Sequence, residues 1–219
     1  MEFFEDLKQT KIFSLATEFE CQAMMFCFKT RFKTFEKNEK IVSQGDAMDE
    51  VVLIVKGTAN VEHIDSFGDI SILMRLKKGE LYGVESAFVG DVEYRDNLVA
   101  TEKTMVMFMN KHRLITQCEN KCRRHDNVLK AVMQSVAETN NKLLNKLAHM
   151  RKKTTREKLL SYFTLLAKTS GSNYFELPFN KTELANYLSV DRSAMCSELG
   201  KMRDEGFIEF DKRQFYLKK

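Results

Sequence analysis

Hydrophobic spacing changes along the chain. Between Phe32 and Phe108, short apolar runs (Val51-Val52-Leu53-Ile54-Val55, Ile70-Ser71-Ile72-Leu73 and Met105-Val106-Met107-Phe108) are punctuated by Gly45, Gly57, Gly68, Gly79, Gly83 and Gly90. Strand-prone runs spaced by turn glycines at ~8–12 residues predict an antiparallel barrel or sandwich. From about Lys121 the period becomes helical: Leu129, Val132, Val136, Leu143, Leu147 and Met150 form a stripe that Thr139 and Asn140 interrupt. The spacing predicts a helix over about 123–149, ~40 Å long, more than a small domain needs for its own core. Before the strands, residues 1 to about 30 read as helical, with Phe3, Phe4, Leu7, Ile12, Phe13 and Leu15 as candidate core contacts.

After Arg151-Lys152-Lys153, a hinge candidate, the helix signals become dense. Thr154 and Glu157 form a capping box ahead of Leu159, Leu160, Phe163, Leu165 and Leu166. Asn180 and Glu183 form another, ahead of the stripe Leu184, Ala185 and Leu188. Ser189-Val190 reads as a turn and Asp191 as the cap of a second helix, with Gly206 at its end. That helix has an apolar side of Met195, Leu199 and Met202 and a polar side of Arg192, Ser193, Cys196, Ser197 and Lys201. Phe207 to Phe210 and Gln214 to Leu217 then alternate as a hairpin around Asp211-Lys212-Arg213. A helix-turn-helix followed by a hairpin is a winged helix, and the predicted fold class is α+β. The expected domains are a sensor at 1–120, a dimerisation helix at 121–150 and a winged helix-turn-helix at 151–219.

Composition adds bounds. The 219 residues, 43% of them hydrophobic, suffice for one large folded domain or two modest ones. No apolar run approaches the ~20 residues of a membrane helix. Glu2, Glu5 and Asp6 are unlike a signal or transit peptide, so a cytoplasmic protein without membrane contact is expected. Five cysteines then imply thiols. Net charge is +4, and from Arg151 onward 14 Lys and Arg face 9 Asp and Glu, which leaves the rest near balance. The positive excess thus lies with the winged helix, as phosphate binding would want.

No dinucleotide fingerprint, P-loop, Ser/His/Asp or HExxH arrangement is present, and no enzyme is expected. Cys118, Cys122 and His125, spaced i, i+4, i+7, share a helical face suited to zinc or an iron centre that Cys21 or Cys27 would complete. The alternative is buried thiols and a surface histidine. Met105, Met107 and Met109 read as packing. The long helix either lies against the barrel or pairs with a second copy through Leu129, Val132, Val136, Leu143 and Leu147. A two-fold dimer explains how recognition helices meet half-sites ~34 Å apart.

A sensor barrel, a long helix and a winged helix, in that order, resemble the CRP/FNR family of bacterial transcription regulators over essentially the whole chain. The most specific stretch is Thr182-Glu183-Leu184-Ala185-Asn186-Tyr187-Leu188-Ser189-Val190-Asp191-Arg192-Ser193-Ala194-Met195, joined by Gly45-Asp46, Val51 to Gly57 and Gly79-Glu80-Leu81-Tyr82-Gly83. The resemblance implies a cyclic-nucleotide-binding-like jelly roll and a homodimer on a palindromic promoter site in double-stranded DNA. It implies RNA polymerase as a partner and a small-molecule effector of unknown identity as the signal. Arg192 matches the family's base-reading arginine and Ser193 a base-facing position, with Lys181, Thr182, Asp191, Ser197 and Lys201 as further DNA-binding candidates. Relatives often carry a second arginine where Ser197 stands, so a different half-site is expected. The effector-binding candidates are Gly83, Val84, Glu85, Ser86, Arg95 and Asp96. Cyclic-nucleotide binders of the family use Gly-Glu on the ribose and Arg with Ser or Thr on the phosphate. Here valine follows Gly83 and Asp96 follows Arg95, so cyclic AMP is not expected. The alternatives are a metal- or redox-sensing regulator using Cys118, Cys122 and His125, and a ligand-binding or scaffold protein that does not bind DNA.

Overall fold

The structure, a computed structural model, describes residues 3–90, 92–116 and 124–218, with the backbone alone for 124–126. The chain divides into two compact units, Met1–Gly68 with Met74–Asn140 and Asp69–Leu73 with Asn141–Lys219.

The first unit opens with helices α1 (Phe4–Lys8) and α2 (Glu18–Cys27). Thr17 and Glu20 close a reciprocal capping box that sets the start of α2. Strands follow as β1 (Arg31–Phe35), β2 (Lys40–Val42), β3 (Glu50–Lys56), β4 (Ala59–Ile64), β5 (Ile70–Leu76), β6 (Leu81–Tyr82), β7 (Asn97–Ala100) and β8 (Thr104–Asn110). Helices α3 (Ser86–Val89) and α4 (Lys111–Ile115) flank the last pair. The strands form two four-stranded sheets, β1-β8-β3-β6 and β2-β7-β4-β5. The fold is therefore a two-sheet jelly roll and not a closed barrel.

The apolar run in β3 is explained by burial on both faces. Val51, Leu53 and Val55 join a core cluster with Leu7, Phe13 and Met24, while Val52 and Ile54, on the other face, are equally buried. In the turn after β3, Gly57 has φ +86°, and an added Cβ would stand 2.6 Å from Thr104 Oγ1 and 2.7 Å from the Lys103 carbonyl. Only glycine fits there. Of the N-terminal core candidates, Leu7, Ile12 and Phe13 are buried, but Leu15 is 80% exposed and not a core contact.

Helix α5 (Arg124–Met150) runs from the first unit into the second. Beyond it come α6 (Thr155–Ser170), β9 (Tyr174–Glu176), α7 (Lys181–Leu188), α8 (Arg192–Asp204), β10 (Ile208–Asp211) and β11 (Gln214–Leu217). The hairpin pairs Ile208 with Leu217 through Asp211 with Gln214. It gains a third strand, β9, which the alternation pattern did not reveal because β9 is so short. A second core of Leu159, Phe163, Leu184, Leu188, Met195 and Leu199 lies under these elements. No helix among the described residues is long and apolar enough to cross a membrane.

Candidate functional site

Helix α7 starts from a complete capping box: the Glu183 amide donates to Asn180 Oδ1 at 3.0 Å and the Asn180 amide to Glu183 Oε2 at 2.8 Å. Lys181 and Thr182, its first two residues, are exposed, and Lys181 Nζ lies 5.4 Å from the Phe210 ring centroid in β10. The helix ends at Ser189, which adopts a left-handed φ of 48°. Lys158 of α6 braces that strained turn by donating to the carbonyls of Leu188 (3.1 Å) and Ser189 (3.3 Å). Asp191 then accepts the Ala194 amide at 2.7 Å and so starts α8 as its cap.

The two sides of α8 separate cleanly. Met195, Leu199 and Met202 are buried in the second core, while Arg192, Ser193, Ser197 and Lys201 are exposed. Arg192 and Lys201 have no ion pair or hydrogen bond among the described residues. The carboxylates of the same helix region are occupied. Arg156 of α6 donates to Glu198 at 2.5 Å and forks onto Glu205 at 2.6 and 2.8 Å. That fork holds the Glu205 carboxyl below its usual range. Cys196 is half-buried beside the core.

In the sensor unit, the chain reverses at Gly83, whose φ is +79°. Val84 belongs to the core, Ser86 is buried and donates to the Gly83 carbonyl at 2.7 Å, and Glu85 and Arg95 are exposed. Asp96 is held by His63 Nδ1 at 3.0 Å. Between them Tyr82 and Tyr94 stack at 5.7 Å, their hydroxyls donating to the carbonyls of Asp96 (3.2 Å) and Glu50 (2.6 Å). Burial pushes both phenols well above their ordinary values, so both stay protonated donors. An added Cβ at Gly83 would stand 3.3 Å from the Tyr94 ring, which leaves little room beside the turn.

Residues 32–121 match the cyclic nucleotide-binding domain and residues 157–219 the Crp-like helix-turn-helix domain. The chain belongs to the CRP/FNR family of transcription regulators. It pairs an effector-binding domain of the cyclic-nucleotide-binding type with a helix-turn-helix DNA-binding domain. Solved structures with this fold include a CooA mutant from Carboxydothermus hydrogenoformans (TM-score 0.75, 15% identity, 96% of this chain and 92% of that one). The c-di-GMP-responsive global regulator CLP of Xanthomonas campestris is also similar (0.74, 13%, 90% and 98%). So is FixK2 from Bradyrhizobium japonicum (0.68, 18%, 87% and 93%). No curated protein sequence matches the chain.

In this family member, α5 presents a seam that differs at one position from the stripe expected of it. Val132 is 0% exposed and packs into the core of the first unit with Val128 and Ala131, so it faces its own sensor and not a partner. Met133, at 70% exposure, stands where Val132 was expected. The outward series is then Leu129, Met133, Val136, Asn140, Leu143 and Leu147, with alternating steps of four and three. Sequence reasoning also missed Arg156, Lys158, Tyr82, Tyr94 and His63, whose partners lie far away in sequence. Cys118 and Cys122 lie outside the described residues, as does the His125 side chain, while Cys21 is buried and Cys27 half-buried.

Proposed function

We propose that this regulator acts as a homodimer on a two-fold symmetric duplex site, with α8 of each copy in the major groove. The observation that carries the proposal is α8 itself, a helix with a dry back and a front whose two cations have no ion pair among the described residues. Arg192, directly after the cap, is the residue to reach a guanine edge through a bidentate fork. Ser193 and Ser197 contact neighbouring bases, and Lys181, Thr182 and Lys201 contact phosphates, where the amide dipoles at the start of α7 also favour anions. Asp191 serves this surface as a cap.

Two copies associate through the outward seam of α5, and a signal in the sensor biases the orientation of the winged helices. The effector acts at the Gly83–Ser86 turn with Arg95. It is not cyclic AMP: Val84 offers no acceptor to a ribose hydroxyl, and Asp96 puts a carboxylate next in sequence to Arg95, where the family's cyclic-nucleotide binders have Ser or Thr. The protein works in the cytoplasm with RNA polymerase as a partner and performs no catalysis.

Selection of bound duplexes from a random pool, with and without small-molecule extract, tests the reading. A palindromic consensus is expected, which Arg192→Ala binds more weakly and with one base preference flattened in each half-site. Retention of no duplex under any condition would sink it.

A further inference from the structure

The segment between α1 and α2 sorts its side chains sharply. Ile12, Phe13 and Ala16 turn inward, whereas Lys11, Ser14 and Leu15 remain outside. Beside it, α5 of the same unit shows the flank next to its outward seam, and a cavity of about 240 Å³ opens between the two. Its floor is Ile12, Ala16, Met24 and Ala131, each buried to more than nine-tenths. Its mouth carries Lys11, Asn127, Lys130 and Gln134, and among the described residues no carboxylate lines it. Leu15, a large apolar side chain left in water, stands at the rim.

We infer that this cleft binds a small amphipathic carboxylate. Charge decides the head group. The ammonium of Lys11 is engaged by Glu138, which also accepts the Gln134 amide at 3.0 Å. Lys130 is exposed and has no ion pair or hydrogen bond among the described residues. A carboxylate at the mouth meets Lys130, and the Asn127 amide lies on the same rim to donate to it. The floor decides the body: four apolar side chains and no charge reward an alkyl or aryl group that displaces water. Size sets its length. A dry cavity of ~150 Å³ accommodates benzene, so this one suits a chain of roughly six to eight carbons. A nucleotide is too large and too polar for that floor, and an amine would face the Lys130 ammonium.

This site is separate from the Gly83 turn. It touches α5 at Lys130, next to Leu129 and at one turn's remove from Met133, so occupancy bears on the seam proposed for dimerisation. The inference is tested on the full chain without DNA, which keeps its failure distinct from failure of the DNA-binding reading.

Isothermal titration with sodium octanoate, octanol and octylammonium chloride provides the test. Saturable binding of one octanoate per chain is expected, at least about tenfold tighter than octanol, with no heat from octylammonium. Lys130→Glu, an exposed change, should weaken octanoate at least about tenfold at an unchanged melting temperature, and Lys130→Arg should restore it. Ala131→Leu, which fills the floor, should weaken all apolar ligands, and its own melt reports whether the fold survives. Absence of octanoate binding at millimolar concentration overturns the inference. So does octanol binding as tightly as octanoate, or an affinity indifferent to both Lys130→Glu and a folded Ala131→Leu.

Discussion

Arg192 is held at the start of a capped helix by groups that do not touch it: Asp191 fixes the helix start, Lys158 braces the preceding turn and Arg156 absorbs the carboxylates of Glu198 and Glu205. Among the described residues its guanidinium has no partner. Arg192→Ala should cost ~1–3 kcal/mol of affinity for the selected duplex and flatten preference at one base pair per half-site. Fluorescence anisotropy with single-base variants measures both, and an unchanged preference removes Arg192 from the reading surface.

His149, in the last turn of α5, makes a residue-scale argument of a different kind. Its Nδ1 lies 2.8 Å from Ser161 Oγ, its ring meets Tyr162 edge-on at 5.5 Å, and its buried Nε2 has no hydrogen-bond partner among the described residues. Lys146, one turn earlier and 5.2 Å from the Tyr187 ring, is itself a cation and offers the imidazolium no compensation. Burial therefore lowers the His149 pKa. A depressed folded value means the stability is full above the ordinary histidine pKa of ~6.5 and is lost as pH falls through the folded one. The melting temperature should drop between about pH 7.5 and pH 5.5, and His149→Phe should shrink that drop. Equal slopes for both proteins would show that other groups cause the loss.

At the scale of elements, α5 shows how one helix serves two surfaces. Val128, Ala131 and Val132 pack inward, Leu129 is half-buried, and Met133, Val136, Leu143 and Leu147 are exposed. Met133→Lys should split the dimer in light scattering and leave the monomer folded. Val132→Ala should leave the dimer intact and lower its stability by roughly 2 kcal/mol through a small core cavity. Asn140 falls at an a position of the outward heptad, the place where a single asparagine fixes two-stranded register at some cost in stability. Asn140→Leu should therefore raise the melting temperature and admit species larger than dimers in sedimentation. A lower melting temperature, with only dimers present, would remove Asn140 from that role.

For the molecule as a whole, the location of charge matters more than the total of +4. The excess of Lys and Arg follows Arg151, in the part that carries α7, α8 and the hairpin. A dimer that neutralises 6–10 phosphates should lose ~10³–10⁵ in affinity between 50 and 200 mM salt, and a shallow slope would point to contacts other than phosphate.

What the sequence determined by itself is what a few neighbouring residues decide together. The capping boxes at Thr154 and Asn180, the cap at Asp191 and the turn glycines each act within about one turn of backbone, so their elements could be placed without coordinates. The family pattern rests on the same local signals. Tertiary structure alone decided between Val132 and Met133, because both are apolar and both continue a heptad from Leu129. It alone sent Leu15 into solvent, stacked Tyr82 on Tyr94, and brought Arg156 to Glu198 and Glu205 across 42 and 49 residues. Such choices depend on which surfaces meet when the units pack, and spacing along one strand or helix carries no record of its neighbour.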